Sequence, residues 1–176
     1  MPRRVVTGRD GSGKSVFVSD GDVPAAVMSA TPDSAFYNVW GVDGLYQLPC
    51  DGSKPDYTTF FPPTVGFRYM VVKFQPDSTP PPADLDVERV PEEMEASFPG
   101  LIAHMEPEHP GMHTTSTVDI GVVLSGEIWL ELDDGAEVHL TPGDFVVQNG
   151  TRHAWRNKTD QPTTMAFVLV GADQSG

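Results

Sequence analysis

The sequence predicts a single, mostly β domain in which helix is the minor component. The chain of 176 residues has the size of one domain and is long enough to bury a core of its own. It contains 17 Gly and 17 Pro, which interrupt regular elements and favour many short strands joined by turns. In the last third of the chain, apolar runs of strand length alternate with turn sequences. Together these observations favour a β fold over a helical one.

The first part of the chain predicts a hairpin followed by further strands. Residues 3–30 read as two or three short strands, and the first two flank a turn-forming run at residues 8–13. Three more runs of strand character follow, at residues 35–40, 58–61 and 67–74.

Residues 8–15, GRDGSGKS, match the phosphate-binding pattern G-x-x-x-x-G-K-[ST] as text. That mechanism needs a helix N-terminus directly after the loop. Here β-branched and aromatic residues of strand character follow instead, at residues 16–18. We therefore interpret the segment as the turn of the hairpin and expect no nucleotide cofactor.

A proline-rich linker and a short helical segment occupy the middle of the chain. Residues 76–86, PDSTPPPADLD, cannot hold regular structure for long, because proline lacks a backbone donor and restricts the residue before it. Residues 90–105 then carry acidic residues in the first turn and apolar residues at helical spacing. Pro99 and Gly100 interrupt this pattern, so we expect two short helical pieces.

After Gly111 the pattern predicts a β-meander. Apolar runs of strand length are separated there by turn signals at residues 125–126, 133–135 and 141–143. A chain that reverses at each of these turns would build a sheet from neighbouring strands.

Charge and cysteine content exclude several classes of protein. The formal net charge of −14 makes nucleic acid and anionic membrane surfaces unfavourable partners, because both need clustered Lys and Arg. Cys50 is the only cysteine, which rules out an internal disulfide and a Cys-rich zinc site and favours a reducing compartment. The N-terminus lacks a signal-peptide pattern, and no apolar stretch of about 18 residues occurs. We expect a cytoplasmic protein.

Two histidine-containing motifs lie in the last third of the chain. In the first, His113 is followed by Asp119 and, after six further residues, by Gly126. The second consists of Gly143, Asp144, Gly150, His153 and Asn157. This pair of motifs resembles that of the cupin family, with two departures. Thr115 stands where the family usually has a second histidine, and Asp119 replaces the longer glutamate.

The resemblance implies a cupin double-stranded β-helix, a jelly-roll barrel that holds its ligand in the barrel mouth. Within a single domain, 1–176, it assigns residues 107–172 to the barrel core. Residues 1–83 would be extra strands that pack on or extend the barrel, and residues 84–106 the helical segment. In related proteins such N-terminal strands often complete a neighbour's sheet, so we expect a homodimer, which also removes exposed strand edges.

Strand alternation places the polar residues of both motifs in one cavity. Side chains two residues apart face the same side of a strand, which applies to His113, Thr115, Thr117 and Asp119, and equally to His153 and Trp155. Two imidazoles and one carboxylate facing an interior suit a divalent Fe, Mn, Ni or Zn ion with open coordination positions. The alternative is a metal-free polar cavity in which the carboxylate accepts a hydrogen bond from a histidine or a threonine.

These patterns assign a role to each candidate residue. The expected metal ligands are His113, Asp119 and His153, of which Asp119 and His153 are also the expected catalytic residues. The expected pocket residues are Thr115, Thr117, Trp155 and Phe167. Further candidates for the apolar wall are Phe145, Val147, Met165 and Leu169. We expect His104, His109 and His139 to lie outside the site.

The predicted function is that of an enzyme acting on a small and partly apolar metabolite. A metal-dependent lyase or isomerase, such as a dehydratase or decarboxylase, and a dioxygenase both fit the expected ligand set. The alternative is a non-catalytic protein that binds a small molecule without metal. In either case the partner is a small molecule, not nucleic acid or a membrane.

Overall fold

The computed structural model describes residues 1–173 and confirms the mostly β fold class. The strands before the linker are β1 (Arg3–Arg9), β2 (Ser15–Asp22), β3 (Ala26–Met28), β4 (Thr31–Val42) and β5 (Phe67–Phe74). The strands after it are β6 (Thr117–Ser125), β7 (Ile128–Glu131), β8 (Glu137–Leu140), β9 (Phe145–Asn149), β10 (Ala154–Arg156) and β11 (Thr163–Gly171).

The strands form three antiparallel sheets. The largest has six strands in the order β3-β4-β5-β11-β6-β9, and a second has three in the order β10-β7-β8. The hairpin β1-β2 forms a separate two-stranded sheet. Strands from before and after the linker are therefore neighbours in the largest sheet, where β5 pairs with β11.

The match to the phosphate-binding pattern is a hairpin turn, as the sequence context predicts. The carboxylate of Asp10 accepts hydrogen bonds from the backbone amides of Ser12 and Lys14, which closes the turn. Strand β2 begins at Ser15, directly after the turn, so the helix that a phosphate loop requires does not follow.

The predicted strand at residues 58–61 does not form, and this part of the prediction is wrong. The backbone N–H of Phe60 donates to the carbonyl of Pro99 instead of to a neighbouring strand. Phe60 is buried and packs edge-on against Phe98, with ring centroids 5.4 Å apart. The aromatic residues of this segment fill the interior from a loop, since Pro62 and the residue after it prevent a continuing ladder.

The helical segment consists of two short pieces, as predicted. Helix α1 spans Val90–Ser97, and a 3-10 helix follows at Ile102–His104. A second 3-10 helix lies at Asp133–Gly135. Gly100 has a φ of +81°, a conformation that L side chains rarely adopt, and it separates the two pieces. None of the helices in residues 1–173 is long and apolar enough to cross a membrane.

The predicted β-meander is wrong, because the strands after residue 111 alternate between two sheets. Of these strands only β7 pairs with its immediate successor in the chain, β8, whereas β6 pairs with β9 and β11. The turn signals mark where the chain reverses but not the sheet to which it returns. The observed alternation fits the jelly-roll topology that the motif resemblance implies.

Candidate functional site

A cavity of about 270 Å³ lies on the inner face of the six-stranded sheet. Most of its wall is aromatic, aliphatic or methionine, and only three titratable side chains line it: His113, Asp119 and His153. The sequence motifs predict all three, and all three line this cavity.

His113 and His153 form the closest pair in the cavity wall. Their backbones exchange two N–H to C=O hydrogen bonds, each 3.0 Å long, and their ring centroids are 4.1 Å apart. Nδ1 of His113 lies 3.0 Å from the carbonyl of Gly111, and Nδ1 of His153 lies 2.9 Å from that of Thr151. A carbonyl only accepts, so both Nδ1 atoms carry the proton and both Nε2 atoms are free acceptors when the rings are neutral.

Both imidazoles are held in the neutral form. Burial lowers the pKa of His113 from its ordinary value. Burial and, to a smaller extent, the neighbouring His113 together lower the pKa of His153 to about 4. At neutral pH the pair therefore presents two lone pairs and no positive charge.

Asp119 is a buried carboxyl with one unsatisfied oxygen. It lies in β6 between Leu169 of β11 and Gln148 of β9, and only 7% of its surface is exposed. Its Oδ1 is buried without a hydrogen-bond partner within residues 1–173. Burial raises the pKa of the carboxyl from 3.8 to about 6, and the Thr117 hydroxyl opposes this rise. An orphaned acceptor in a cavity wall is a binding position for a ligand atom or a water molecule.

The two predicted pocket threonines are not among the residues that line this cavity. Thr115 and Thr117 are buried, and their hydroxyl oxygens lie 2.7 Å apart in a hydrogen bond. Thr117 pairs with Gly171, and a Cβ added at Gly171 would stand 1.9 Å from the carbonyl oxygen of Pro63. The loop at Pro63 thus fills the barrel end that faces the threonines, so they belong to the packing behind Asp119.

Trp155 and Phe167 line the cavity, at the positions that the sequence predicts for them. Their ring centroids lie 5.4 Å apart in an edge-on contact, and Trp155 also packs edge-on against His153 at 5.9 Å. The Phe167 ring lies across Gly121 of the neighbouring strand, where an added Cβ would come within 2.9 Å of Cε1. The absence of a side chain at Gly121 therefore fixes the position of this wall.

The predicted apolar wall is correct for Leu169 in β11 and wrong for β9. Leu169 lines the cavity, whereas Met165 is buried but is not among the residues that line it. Phe145 and Val147, in contrast, are 73% and 60% exposed. The inward side of β9 carries Val146 and Gln148 instead. The prediction placed the inward-facing positions of this strand one residue away from where they lie.

The other histidines lie outside the cavity wall. His109 is exposed in a loop, and exposed His139 stacks on Trp129 with ring centroids 4.3 Å apart. His104 ends the 3-10 helix and packs edge-on against Phe61, with its Nδ1 2.9 Å from the carbonyl of Thr114.

The sequence motifs missed a polar neighbour of Asp119, which does not line the cavity, and much of the cavity's apolar wall. Gln148, next to Asp119, is 4% exposed, and its Nε2 has no hydrogen-bond partner in the described part of the chain. Much of the apolar wall comes from before the linker, including Phe36, Phe60, Phe61, Met70, Val72 and Phe74. Alternation of Met70, Val72 and Phe74 in β5 is a signal for an inward face, but no pattern shows that β5 lies beside β11.

The three predicted metal ligands do not form a ready-made metal site. The free Nε2 atoms of His113 and His153 and the orphaned Oδ1 of Asp119 have the chemistry of metal donors. Across residues 1–173, however, no group of three or more His, Cys, Asp or Glu side chains lies close enough to hold one ion. The three side chains are thus of the types that bind metals, but they do not lie close enough together to hold one ion. Metal binding stays a prediction.

Comparison with known proteins points to one family. The Cupin_2 family model, described as a cupin domain, matches residues 101–170. A Diaporthe leptostromiformis protein named phomopsin biosynthesis cluster protein C′ is 31% identical over an alignment that covers 97% of this chain and 79% of that protein. A Neurospora crassa protein named cupin-domain-containing oxidoreductase srdB is 28% identical, with 96% and 73% covered.

One solved structure matches part of the chain. It is titled a sugar phosphate isomerase from Silicibacter pomeroyi, is 15% identical, covers 85% of this chain and 71% of its own, and gives a TM-score of 0.45.

Proposed function

We propose that this chain, which belongs to the cupin family, is an enzyme that moves protons on a small, largely apolar metabolite. One observation carries the proposal. The Asp119 carboxyl is buried, with an unpartnered oxygen, in the wall of an apolar cavity that also presents two neutral imidazoles. Perturbed titratable groups that converge on such a cavity are typical of an active site.

Asp119 is the base in this proposal. Its pKa of about 6 lets both protonation states be populated near neutral pH, which suits a group that takes up and returns a proton. It would remove a proton from a carbon next to a carbonyl, leaving the electron pair on the carbonyl oxygen as an enolate. Return of the proton to a different atom gives an isomerisation, and loss of a leaving group gives an elimination.

The histidine pair would hold the substrate. Both rings donate Nδ1–H to backbone carbonyls, so Nε2 of His113 and of His153 can accept a hydrogen bond from a substrate hydroxyl. The contacts through Nδ1 fix the ring orientations before the substrate binds, which reduces the ordering that binding requires. The apolar wall excludes water from the reacting atoms.

A second candidate is a metal-dependent enzyme of the dioxygenase or oxidoreductase class. The free Nε2 atoms of His113 and His153 favour it, and the Neurospora crassa relative carries the name of an oxidoreductase. A bound divalent ion would supply a Lewis acid for a substrate oxygen. The two imidazoles would hold that ion, with Asp119 as the nearest carboxylate of the cavity wall.

Hydrogen exchange at carbon tests the first candidate directly. Wild-type protein is incubated in D₂O with acetophenone or 4-phenylbutan-2-one, and loss of the proton signal next to the carbonyl is followed by NMR. We expect exchange above background, reduced about 10²-fold or more in Asp119→Asn, because a positioned base contributes on that order. A chelator should leave the exchange unchanged if Asp119 alone is the base.

Asp160→Asn, which changes an exposed carboxyl in a surface turn, is the matched control and should behave as wild type. Exchange that survives in Asp119→Asn would contradict the assignment of the base. Binding of both ketones without any exchange would favour the non-catalytic alternative.

A further inference from the structure

The six-stranded sheet is apolar on the face that points away from the cavity. Side chains alternate between the two faces of a strand, so the neighbours of the cavity-lining Met70, Val72 and Phe167 point outward. An antiparallel sheet that packs one face on a core usually presents polar side chains on the other. Here the outward positions of β5, β6, β9 and β11 are mostly aliphatic or aromatic instead.

The pairing register aligns these outward side chains in three rows across five strands, from β9 to β4. We call the three rows the outer face. The first row is Asn149, Val118, Val170, Phe67 and Val42, the second is Val147, Ile120, Val168, Tyr69 and Trp40, and the third is Phe145, Val122, Ala166, Val71 and Tyr37. Within these rows only Asn149 is neither aliphatic nor aromatic. Phe145, Val147 and Ile120 are 73%, 60% and 47% exposed, so the face is open to solvent in a single copy.

The outer face carries no carboxylate, although the chain has 25 Asp and Glu residues against 11 Lys and Arg. Basic groups lie at its border: Lys73 stands in the next row of β5, and the Arg4 guanidinium lies 5.6 Å from the centre of the Trp40 ring. Two copies with a formal net charge of −14 each repel one another wherever their acidic surfaces meet. On the outer face, two copies can meet without bringing carboxylates together.

The size of the outer face suits a modest dimer interface. Five strands about 4.8 Å apart and three rows about 6.8 Å apart cover about 24 by 20 Å, or about 480 Å². Two such faces together give about 960 Å² before the height of the side chains is counted, which reaches the area of about 1,000 Å² that a specific interface needs. A two-fold axis would set the same apolar rows of both copies against each other.

We propose that the outer face binds a second copy of this chain, in a two-fold dimer whose six-stranded sheets pack face to face about 10 Å apart. Removal of the outward apolar side chains from water drives the association. The cavity lies on the other face of each sheet and stays open, so the dimer is independent of the proposed function.

Light scattering over a series of protein concentrations tests the proposal. We expect wild type to have twice the mass of one chain, and Ile120→Lys to raise the dimer Kd about 10²-fold or more, because the new ammonium groups would be buried without a counter-charge. Ile120 lies in β6, an interior strand, so the change does not alter the free edge of β9. Circular dichroism checks the fold, and Val147→Lys, at a more exposed position, should act in the same way if Ile120→Lys disturbs it.

Two controls separate the outer face from a general effect of charge or size. Ile120→Val keeps an apolar side chain, and Val138→Lys adds the same charge at an exposed valine of β8, in the three-stranded sheet. Both should remain dimeric. Added salt should leave the wild-type dimer intact or tighten it, because screening weakens the repulsion between two acidic copies.

Four results would overturn the inference. A dimer that persists in both Ile120→Lys and Val147→Lys would use another surface, and equal dissociation of Val138→Lys would assign the effect to added charge anywhere on the chain. Dissociation by salt would indicate an interface held by ion pairs. A folded wild type that is monomeric at every concentration would reject the second copy and leave a different protein as the occupant of the outer face.

Discussion

The imidazole of His113 packs against that of His153, with ring centroids 4.1 Å apart, and both rings are tied to backbone carbonyls through Nδ1. Two rings at this distance cannot both carry a positive charge without strong repulsion. Burial and this proximity together keep the pair neutral near neutral pH, and both Nε2 atoms are then hydrogen-bond acceptors.

Proton NMR of the histidine side chains should detect this coupling. We expect His153 to titrate near pH 4, below the ordinary range, because burial and His113 both disfavour its charged form. Replacing His113 with Gln should raise the pKa of His153 by removing one of these causes, while burial keeps it below 6.5. A His153 signal that titrates at 6.5 in the wild type would contradict the buried, neutral pair.

The buried carboxyl of Asp119 should destabilise the fold as pH rises. A carboxyl whose pKa is raised on folding binds its proton more tightly in the folded state, so the free energy of unfolding falls as pH increases from about 4 to about 6. The full rise in the pKa of Asp119 corresponds to a decrease in the free energy of unfolding on the order of 3 kcal/mol above pH 6.

Asp119→Asn should consequently stabilise the protein at pH 7.5, by about 1–3 kcal/mol, and have little effect at pH 4. Urea denaturation of both proteins at the two pH values measures the difference, and Asp160→Asn controls for an exposed carboxyl. Equal stabilisation at both pH values would show that ionisation of Asp119 is not the cause.

Gly121 should be sensitive to the smallest added side chain. In Gly121→Ala the new methyl group would stand 2.9 Å from the Phe167 ring, so we expect a loss of about 1–3 kcal/mol in unfolding free energy. Combining this change with Phe167→Leu should restore part of the stability, because the smaller side chain leaves room for the methyl group.

Gly44→Ala is the matched control, since nothing lies within 4 Å of a Cβ added at Gly44. Thermal unfolding of the wild type and of these three variants gives the comparison. Equal losses in Gly44→Ala and Gly121→Ala would attribute the effect to the backbone instead of to the contact with Phe167.

Elemental analysis decides between the two candidate functions. On protein purified without an affinity tag or chelator, near-stoichiometric Fe, Mn, Ni or Zn that disappears in His113→Ala and in His153→Ala would support the metal-dependent candidate. His139→Ala changes an exposed histidine outside the cavity wall and should leave the metal content unchanged. Metal-free wild type that also shows no thermal shift with any of these ions would favour proton transfer by Asp119.

The homodimer that the motif resemblance implies stays a prediction, and light scattering after size exclusion tests it. The hairpin β1-β2 is a separate sheet that exposes Val5, Phe17 and Val18, and Phe17 is 80% exposed. We expect Phe17→Asp to shift the dimer toward monomer if this surface pairs two copies. A monomeric wild type would reject the dimer outright.

The sequence predicted the titratable residues of the cavity better than the rest of its wall. His113, Asp119, His153, Trp155 and Phe167 all line it, because alternation and the two motifs are local patterns along one strand each. The prediction that Phe145 and Val147 face the cavity was wrong, because alternation alone does not show which face of an edge strand is inside.

The rest of the cavity depends on pairing between distant parts of the chain. Thr31 lies far from Asp119 in sequence, and only the antiparallel pairing of β5 with β11 brings their strands into one sheet. Such long-range pairing leaves no trace in the periodicity of either strand. The contribution of β4, including Thr31, to the cavity wall could therefore not be predicted.

The origin of the cavity walls has a consequence for how selectivity can evolve. His113, Asp119 and His153 come from the segment that the family model matches, residues 101–170, whereas β3, β4, β5 and the loop at residues 60–61 supply much of the apolar lining. Substitutions before the linker can therefore change the shape of the cavity while the three titratable side chains stay in place. Exchanging residues 1–83 between relatives should transfer ligand preference without transferring the chemistry.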